Sequence, residues 1–257
     1  LLLPLSVPVL PAVFHSVLSA VPLSAEEIIA QADQIRQSQR SSAIDMVELR
    51  GDYLDILPDY EVLDRLLAKV AEILPEKVLL FTIRSEAEGG EKLAFTTPTI
   101  YEINRHVIEK ATADMVDIEL FSGAEQAEEM IGIAKEKGVK IIMSNHDFQT
   151  TPDASTIVNR LRSMQDLGAD VAKIAVMPEN KMHVVNLLAA TAMMQEAYAE
   201  VPVVTMSMGK MGAISRISGQ VFGSAITFAS FAEASAPGQI PVDKMDEALT
   251  LIEKYCN

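Results

Sequence analysis

Eight short apolar runs, each followed by a stretch of helical periodicity, constrain the fold of this chain more than any other feature. The runs are rich in β-branched residues and recur at roughly thirty-residue intervals. They predict strands at residues 12–18, 43–49, 78–84, 115–120, 140–144, 170–176, 202–206 and 223–228. The intervening segments predict helices at residues 24–40, 60–73, 98–111, 124–137, 153–167, 179–199, 210–217 and 241–255. Apolar strands alternating with amphipathic helices indicate a parallel sheet that helices cover.

Eight repeats favour a closed (β/α)8 (TIM) barrel, although a doubly wound open sheet has the same alternation. No glycine-rich dinucleotide turn follows the first predicted strand, which is a reason to prefer the barrel. The length of 257 residues suits one such domain over residues 1–257, with residues 1–11 as an extension that caps the bottom of the barrel. Ser24 with Glu27, and Asp153 after Thr151 and Pro152, have the spacing of helix starts.

The charge of the chain argues against some partners. Its formal net charge of −15 repels nucleic acid and anionic membrane surfaces, so we expect neither as a partner. The apolar first eighteen residues are interrupted by prolines and lack a basic start, which argues against a secretion signal. The single cysteine, Cys256, excludes an internal disulfide and is compatible with a reducing cytoplasm.

Lys173 is the most informative single residue because it interrupts the apolar sixth strand. Its alternation partners Val171 and Ala175 predict that its side chain points into the barrel. Desolvation there would lower the pKa of the amine and favour attack on a ketone. The alternative is a lysine that reaches the rim or pairs with an acid.

The chemistry of a (β/α)8 barrel lies at the carboxyl ends of its strands, where several charged residues of this sequence fall. His146 follows the fifth strand and could transfer protons, or it could be a structural loop histidine bonded to Asp147. Glu88 could orient that histidine, and the two glycines after it would let its loop fold tightly.

Three arginines are candidates for binding an anionic substrate against the global charge: Arg50, Arg84 and Arg216. Arg216 could clamp a carboxylate with two hydrogen bonds, or it could be an ordinary helix-end arginine. The strand exits also include Glu48, Glu119, Ser235 and Gln239. No metal-ligand spacing links the other histidines, so we interpret them as structural or surface residues: His15, His106 and His183.

Several of these segments together resemble type I 3-dehydroquinate dehydratase between residues 47 and 239. The matching segments are VELRGD (47–52), FTIRSEAEGG (81–90), DIEL (117–120), SNHDF (144–148), GADVAKIA (168–175), MSMG (206–209), SR (215–216), FGS (222–224) and ASAPGQ (234–239). Each is weak alone, and their order and spacing make the likeness specific. The first strand region matches poorly, because Ser19-Ala20-Val21 stands where a polar turn is common.

The resemblance implies that Lys173 forms an imine with the C3 ketone of 3-dehydroquinate. His146 would remove the C2 proton and later protonate the departing C1 hydroxyl, and Glu88 would orient His146. The substrate carboxylate would bind Arg216. Its ring hydroxyls and carboxylate would be surrounded by Glu48, Arg50, Arg84, Ser235 and Gln239.

The resemblance further implies an enzyme that needs no metal or organic cofactor, forms a homodimer and acts in shikimate synthesis in the cytoplasm. Three alternatives remain at this point. The chain could be an aldolase that uses a lysine on the sixth strand, a catalytically silent barrel with a scaffold role, or one module of a longer shikimate-pathway polypeptide.

Overall fold

The computed structural model describes residues 13–17, 24–92, 97–231 and 237–256. The predicted extension at residues 1–11 and the candidate Ser235 lie outside these ranges. The strands are β1 (Val13–Val17), β2 (Met46–Arg50), β3 (Val78–Thr82), β4 (Met115–Glu119), β5 (Lys140–Asp147), β6 (Val171–Val176), β7 (Val203–Ser207), β8 (Ile226–Ser230) and the short β9 (Ile240–Pro241). The helices are α1 (Ala25–Gln37), α2 (Tyr60–Ile73), α3 (Thr97–Lys110), α4 (Ala124–Lys137), α5 (Ala154–Asp166), α6 (Lys181–Met193), α7 (Gly209–Phe222) and α8 (Val242–Cys256).

The strands form one parallel sheet that closes on itself. Its order is β7-β6-β5-β4-β3-β2-β1-β8, with β9 beside β8. The ends of this series meet where Val203 of β7 pairs in parallel with Ser224, and the amide of Ala225 donates to the carbonyl of Val203 at 2.8 Å. A helix follows each of the first eight strands, so the predicted (β/α)8 barrel is confirmed.

Two predicted boundaries in the last repeat were wrong. Residues 223–225 were assigned to the eighth strand, yet α7 continues to Phe222 and β8 begins at Ile226. Gly223 ends the helix in the left-handed conformation, with φ of 98°. The helix was predicted to end at residue 217 because the small residues near the end of α7 weaken its pattern of apolar residues. The prediction that His146 follows β5 was also wrong, because that strand continues to Asp147.

The predicted helix starts are confirmed. The amide of Glu27 donates to Oγ of Ser24, and the amide of Ser24 donates to the Glu27 carboxylate, which completes a capping box. Asp153 accepts from the amide of Thr156 at 2.8 Å and so caps α5.

Alternating side chains on the strands fill the interior of the barrel. Apolar residues occupy its lower part, including Leu80, Ile142 and Val204, all buried. Two residues further along, the inward positions of β3 and β5 become polar, at Thr82 and Ser144, whereas Met206 keeps β7 apolar. The alternation that builds the core therefore also delivers polar groups to the mouth. A larger apolar layer packs between the strands and the surrounding helices.

No helix among the described residues is long and apolar enough to cross a membrane.

A substitution at Gly212 can test how closely α7 packs against the end of β7. A Cβ atom at this position would collide with the carbonyl group of Ser207, at the end of β7. We expect Gly212→Ala to lower the free energy of unfolding by about 1–3 kcal/mol, because the helix must move outwards. Urea denaturation measures the change.

The matched control is Gly132→Ala in α4, where nothing lies within 4 Å of the added atom. Alanine there should raise stability by about 0.5–1 kcal/mol. Equal effects of the two substitutions would contradict the close approach of α7 to β7.

Candidate active site

A cleft opens at the carboxyl ends of the strands. All eight predicted site residues that the structure describes line it: Glu48, Arg50, Arg84, Glu88, His146, Lys173, Arg216 and Gln239. Apolar side chains complete the wall, among them Met206, Met208 and Phe228. The barrel therefore brings together side chains that are up to 191 residues apart in sequence, from Glu48 to Gln239, as their positions at the strand ends predicted.

Lys173 points into the barrel, as predicted, and is 3% exposed. Its Nζ lies 3.2 Å from Oδ2 of Asp117 and 4.5 Å from the centroid of the Phe228 ring. Inward burial and pairing with an acid were treated as competing interpretations of the sequence. The structure combines them, because the buried amine also has a carboxylate partner.

Asp117 is a site residue that the sequence analysis missed. Its buried carboxylate accepts from Oγ of Ser144 at 2.5 Å and contacts Nη2 of Arg84 at 2.9 Å, besides Lys173. Burial alone would raise the pKa of Asp117, but the charges of Arg84 and Lys173 hold it below its usual value. An acid that interrupts the apolar β4 was the available signal, because the same argument identified Lys173.

Arg84 connects the acids at this end of the barrel. Its guanidinium contacts Asp117 at 2.9 Å, Glu119 at 3.0 Å and Glu88 at 3.7 Å. Burial disfavours its charge, yet these carboxylates raise its pKa overall. Arg84 lines the cleft while its charge is already neutralised.

Glu88 holds His146 through two hydrogen bonds. Its Oε2 accepts from the backbone amide of His146 at 2.8 Å and lies 3.0 Å from the Nδ1 atom of the ring. Its Oε1 accepts from the side-chain amide of Asn145 at 3.0 Å. The loop can bring Glu88 here because Gly89 has a φ of 83° and a Cβ at Gly90 would collide with the Arg84 carbonyl oxygen.

The two groups have shifted pKa values. Burial, and then the negative charge of Glu119, raise the pKa of Glu88 to about 7. Burial, and then the charges of Arg84 and Lys173, lower the pKa of His146 well below its ordinary value. A neutral His146 that donates from Nδ1 to ionised Glu88 carries a lone pair on Nε2, so the ring can act as a base.

Arg216 differs from the other cations of the cleft. It is 2% exposed, and its terminal nitrogens lie 3.4 Å from the carbonyl oxygens of Phe228 and Pro237, while its Nε has no partner among the described residues. No carboxylate within the described ranges comes within ion-pair distance of it. Burial lowers the pKa of Arg216 to about 10, which leaves it charged at neutral pH. It can therefore bind an anion.

Arg50 and Glu48 are already engaged within the protein. Nε and Nη2 of Arg50 donate to the two carboxylate oxygens of Asp52 at 2.8 and 2.5 Å. Glu48 accepts from Oγ1 of Thr82 at 2.7 Å. Of the three predicted anion-binding arginines, only Arg216 has a guanidinium that no described carboxylate contacts.

The other histidines that the structure describes in full lie away from the cleft. His106 stacks on Tyr60 with its ring nitrogen 2.9 Å from Asp64, and Nδ1 of His183 accepts from the amide of Glu179 at 3.3 Å. Among the residues that the structure describes, no group of three or more His, Cys, Asp or Glu side chains is placed to hold a metal ion. The side chain of His15 lies outside this description.

The mouth of this closed parallel barrel holds a buried amine, an imidazole with a lowered pKa and an arginine that no described carboxylate contacts, which are groups that a carbon–oxygen lyase can use. Comparison with known proteins gives the family. The sequence model of the type I 3-dehydroquinase family matches residues 19–256. The chain belongs to this family and is a hydro-lyase.

Individual relatives agree with this assignment. The 3-dehydroquinate dehydratase of Salmonella typhimurium is 46% identical over 215 residues, which make up 84% of this chain and 85% of that protein. The solved type I 3-dehydroquinate dehydratase of Clostridium difficile, with covalently modified comenic acid, has a TM-score of 0.87 at 38% identity, covering 95% and 92% of the two chains. The 3-dehydroquinate dehydratase of Geobacillus kaustophilus has a TM-score of 0.89 at 32% identity, covering 96% and 93%.

The raised pKa of Glu88 predicts a measurable effect of pH on stability. The folded protein holds a proton on Glu88 up to about pH 7, while the unfolded chain releases it near the ordinary carboxyl pKa of 4.5. This group therefore contributes stability at low pH that is lost as pH rises through 7. We expect Glu88→Gln to remove this decline. Its free energy of unfolding, relative to that of the parent, should increase between pH 5 and pH 8.

Urea denaturation at unit pH steps measures the trend. Glu91→Gln is the control, because Glu91 is an exposed acid of the same loop. A difference between parent and Glu88→Gln that does not change with pH would show that Glu88 titrates as an ordinary carboxyl.

Proposed function

We propose that this enzyme dehydrates 3-dehydroquinate to 3-dehydroshikimate through an imine on Lys173. The observation that carries the proposal is the presence of the buried Lys173 amine and the neutral His146 ring in one cleft with the anion-binding Arg216. A 3-oxo carboxylate has the two matching groups, a ketone for the amine and a carboxylate for the guanidinium. The covalently modified comenic acid of the C. difficile relative is in keeping with covalent chemistry in this family.

The reaction begins when the Lys173 ammonium loses a proton to water and the neutral amine adds to the C3 ketone. A proton then returns to the hydroxyl group of the carbinolamine, which leaves as water and gives an iminium ion. This cation replaces the lysine ammonium beside Asp117, so the buried carboxylate stabilises it at the same place. The iminium acidifies the hydrogen on C2. Nε2 of His146 accepts that proton, and the electron pair forms an enamine.

Elimination completes the dehydration. The enamine expels the C1 hydroxyl group as water, with the proton supplied by His146, and a conjugated iminium ion forms. Water then adds to the iminium and releases the product, which restores the Lys173 amine. The water molecule consumed in this hydrolysis equals the one released on imine formation, so the net change is the loss of one water molecule.

The remaining parts of the proposal concern the substrate and its pathway. Arg216 would bind the substrate carboxylate, while the polar groups around it, Glu48, Arg50, Arg84, Ser235 and Gln239, would contact the ring hydroxyls and the carboxylate. Ser235 lies outside the described residues and enters through its place after the eighth predicted strand and through the family resemblance. We propose that the reaction serves the shikimate route to chorismate and aromatic amino acids in the cytoplasm, without a cofactor, and that residues 1–257 form one catalytic domain.

Reduction with borohydride tests the covalent step. We expect incubation with 3-dehydroquinate and borohydride to give a stable adduct on Lys173 and to abolish dehydratase activity, because the reduced amine cannot be hydrolysed. Peptide mapping by mass spectrometry locates the adduct, and Lys140, an exposed lysine of β5, is the internal control. Omission of the substrate should leave both lysines unmodified.

Two variants distinguish the role of Lys173 in forming the imine from the role of His146 as the base. Lys173→Met should give neither adduct nor turnover. His146→Ala should still form the adduct, while kcat falls by about 10²–10⁴-fold, as is usual when a general base is removed. Active protein with no adduct on Lys173 would refute the imine mechanism, and folded protein that does not act on 3-dehydroquinate would refute the proposed substrate.

We also propose that the enzyme is a homodimer that associates through the neighbouring helices α6 and α7. These helices pack against each other and expose the apolar side chains of Met182, Val185, Met211 and Ile214, which are 46–62% accessible. Neither helix contains an acid, although the chain has 36. Since copies with a net charge of −15 repel one another, an apolar face without acids is where two of them can approach.

Charge introduced on this face should separate the subunits. We expect Val185→Glu combined with Ile214→Glu to give a monomer in sedimentation velocity, whereas Leu251→Glu on α8, which is 60% exposed, should leave the dimer intact. A parent protein that sediments as a monomer, or a dimer that resists the double substitution, would contradict the proposed interface.

A further inference from the structure

The hydrogen bonds that hold His146 continue beyond Glu88 to the outside of the barrel. Nη1 of Arg160, on α5, donates to Oδ1 of Asn145 at 2.8 Å, and Nδ2 of Asn145 donates to Oε1 of Glu88 at 3.0 Å. We propose that Arg160 and Asn145 are positioning residues that keep Glu88 as a hydrogen-bond acceptor and so fix the His146 tautomer with its lone pair on Nε2. The inference rests on the proposed role of His146 as the base.

Arg160 determines which way the side-chain amide of Asn145 is oriented. A guanidinium can only donate hydrogen bonds, so Arg160 must face the amide oxygen, and the amide nitrogen then faces Glu88. Asn145 is 4% exposed, which leaves little room for water to replace either partner. Without Arg160 the amide would be free to turn and set its oxygen against the carboxylate. Arg160 therefore determines whether Asn145 donates to Glu88.

The protonation state of Glu88 determines the tautomer of His146. Ionised Glu88 can only accept, so Nδ1 of His146 carries the hydrogen and Nε2 carries the lone pair. A protonated Glu88 can donate to Nδ1 and would favour the opposite tautomer, in which Nε2 cannot accept a proton. The tautomer of the base is thus set by whether Glu88 is ionised.

Glu88 is sensitive to the loss of any one donor. The charged and titratable groups around it are Arg84 from the end of β3, Glu119 from β4 and His146 from β5. Burial and Glu119 favour its neutral form, whereas Arg84, the Asn145 amide and the His146 amide favour the carboxylate, and the balance leaves the pKa of Glu88 at about 7. Loss of the Asn145 donor, which favours the carboxylate, would therefore move the pKa of Glu88 upwards.

Arg160 lies outside the cleft. Its side chain is 25% exposed, 3.6 Å from Asp147, and its guanidinium carbon lies 5.7 Å from the centroid of the Phe121 ring. It does not line the cleft. A purely structural role, in which Arg160 only pairs with Asp147, is the competing explanation, and it predicts no effect on the titration of the active site.

The pH profile of kcat/KM separates these explanations. We expect Arg160→Met to lose about tenfold in kcat/KM at pH 6.5 and less than twofold at pH 9, because a rise of one unit in the pKa of Glu88 moves the acid limb by one pH unit. Arg160→Lys, which keeps a charged donor, should restore most of the activity at pH 6.5. A uniform loss at all pH values would overturn the proposal.

Arg162→Met is the matched control. Arg162 is exposed on the same helix and lies over the ring of Tyr198, 4.9 Å from its centroid, so its loss changes the charge by the same amount without touching Asn145. The acid limb should stay at its parental position in this variant. An equal shift in both variants would mean that net charge alone moves the limb, which contradicts the positioning role.

The tautomer itself can be observed without turnover. In protein labelled with ¹⁵N-histidine at about pH 7.5, the ring shifts of His146 should show hydrogen mainly on Nδ1 in the parent and a larger share of the Nε2 form in Arg160→Met. Asn145→Asp, which cannot donate to Glu88, should change the shifts in the same direction. Unchanged shifts in folded variants would overturn the proposal, even if the substrate assignment proved wrong.

Discussion

The ion pair between Lys173 and Asp117 is the interaction on which the rest of the site depends. An ammonium group inside a barrel is costly to bury, and the carboxylate 3.2 Å away offsets that cost. Asp117 in turn needs Arg84 and Ser144 to remain ionised, and Arg84 needs Glu119 and Glu88 around it. The burial of a single amine therefore depends on a network of charged and polar groups from β4, β5, β6 and the segment after β3.

This network reconciles the acidic chain with an anionic substrate. Most of the cations in the cleft are neutralised by acids within the protein: Arg50 by Asp52, Arg84 by three carboxylates and Lys173 by Asp117. Arg216 has only carbonyl and thioether contacts within the described residues. Among the described cations of the cleft, Arg216 is therefore the one whose positive charge no described carboxylate neutralises, although the protein as a whole is acidic.

Most of the fold and much of the cleft could be predicted from two sequence patterns, the regular spacing of the apolar runs and the alternation of inward and outward side chains along each strand. The spacing of apolar runs predicted all eight barrel strands, and the interruption of β6 predicted that Lys173 points inwards. Asp117 has the same kind of position on β4, and it was overlooked because it was taken only as part of a matching segment. The Glu88 loop was expected to fold tightly from its glycines, and Gly89 and Gly90 explain how it does so.

The contacts between residues on distant strands could not be predicted from the sequence. Nothing local to Arg84 indicates that it contacts three acids, and nothing local to Arg160 indicates that it reaches Asn145. The C-terminal boundary of α7 was wrong for a different reason. Its last turns contain serine and glycine, which weaken the helical signal until packing against the neighbouring strands decides the conformation.

The seam between β7 and β8 gives the barrel unequal sides. The other adjacent strand pairs around the barrel match three or more residues in register, whereas this seam has a single bridge at Val203 and Ser224 and a serine hydroxyl that accepts from the amide of Thr205. Arg216 lies on the helix that connects these two strands. The barrel is therefore closed by the fewest strand contacts beside the helix that carries Arg216, whereas β6, which carries Lys173, is paired along both of its edges.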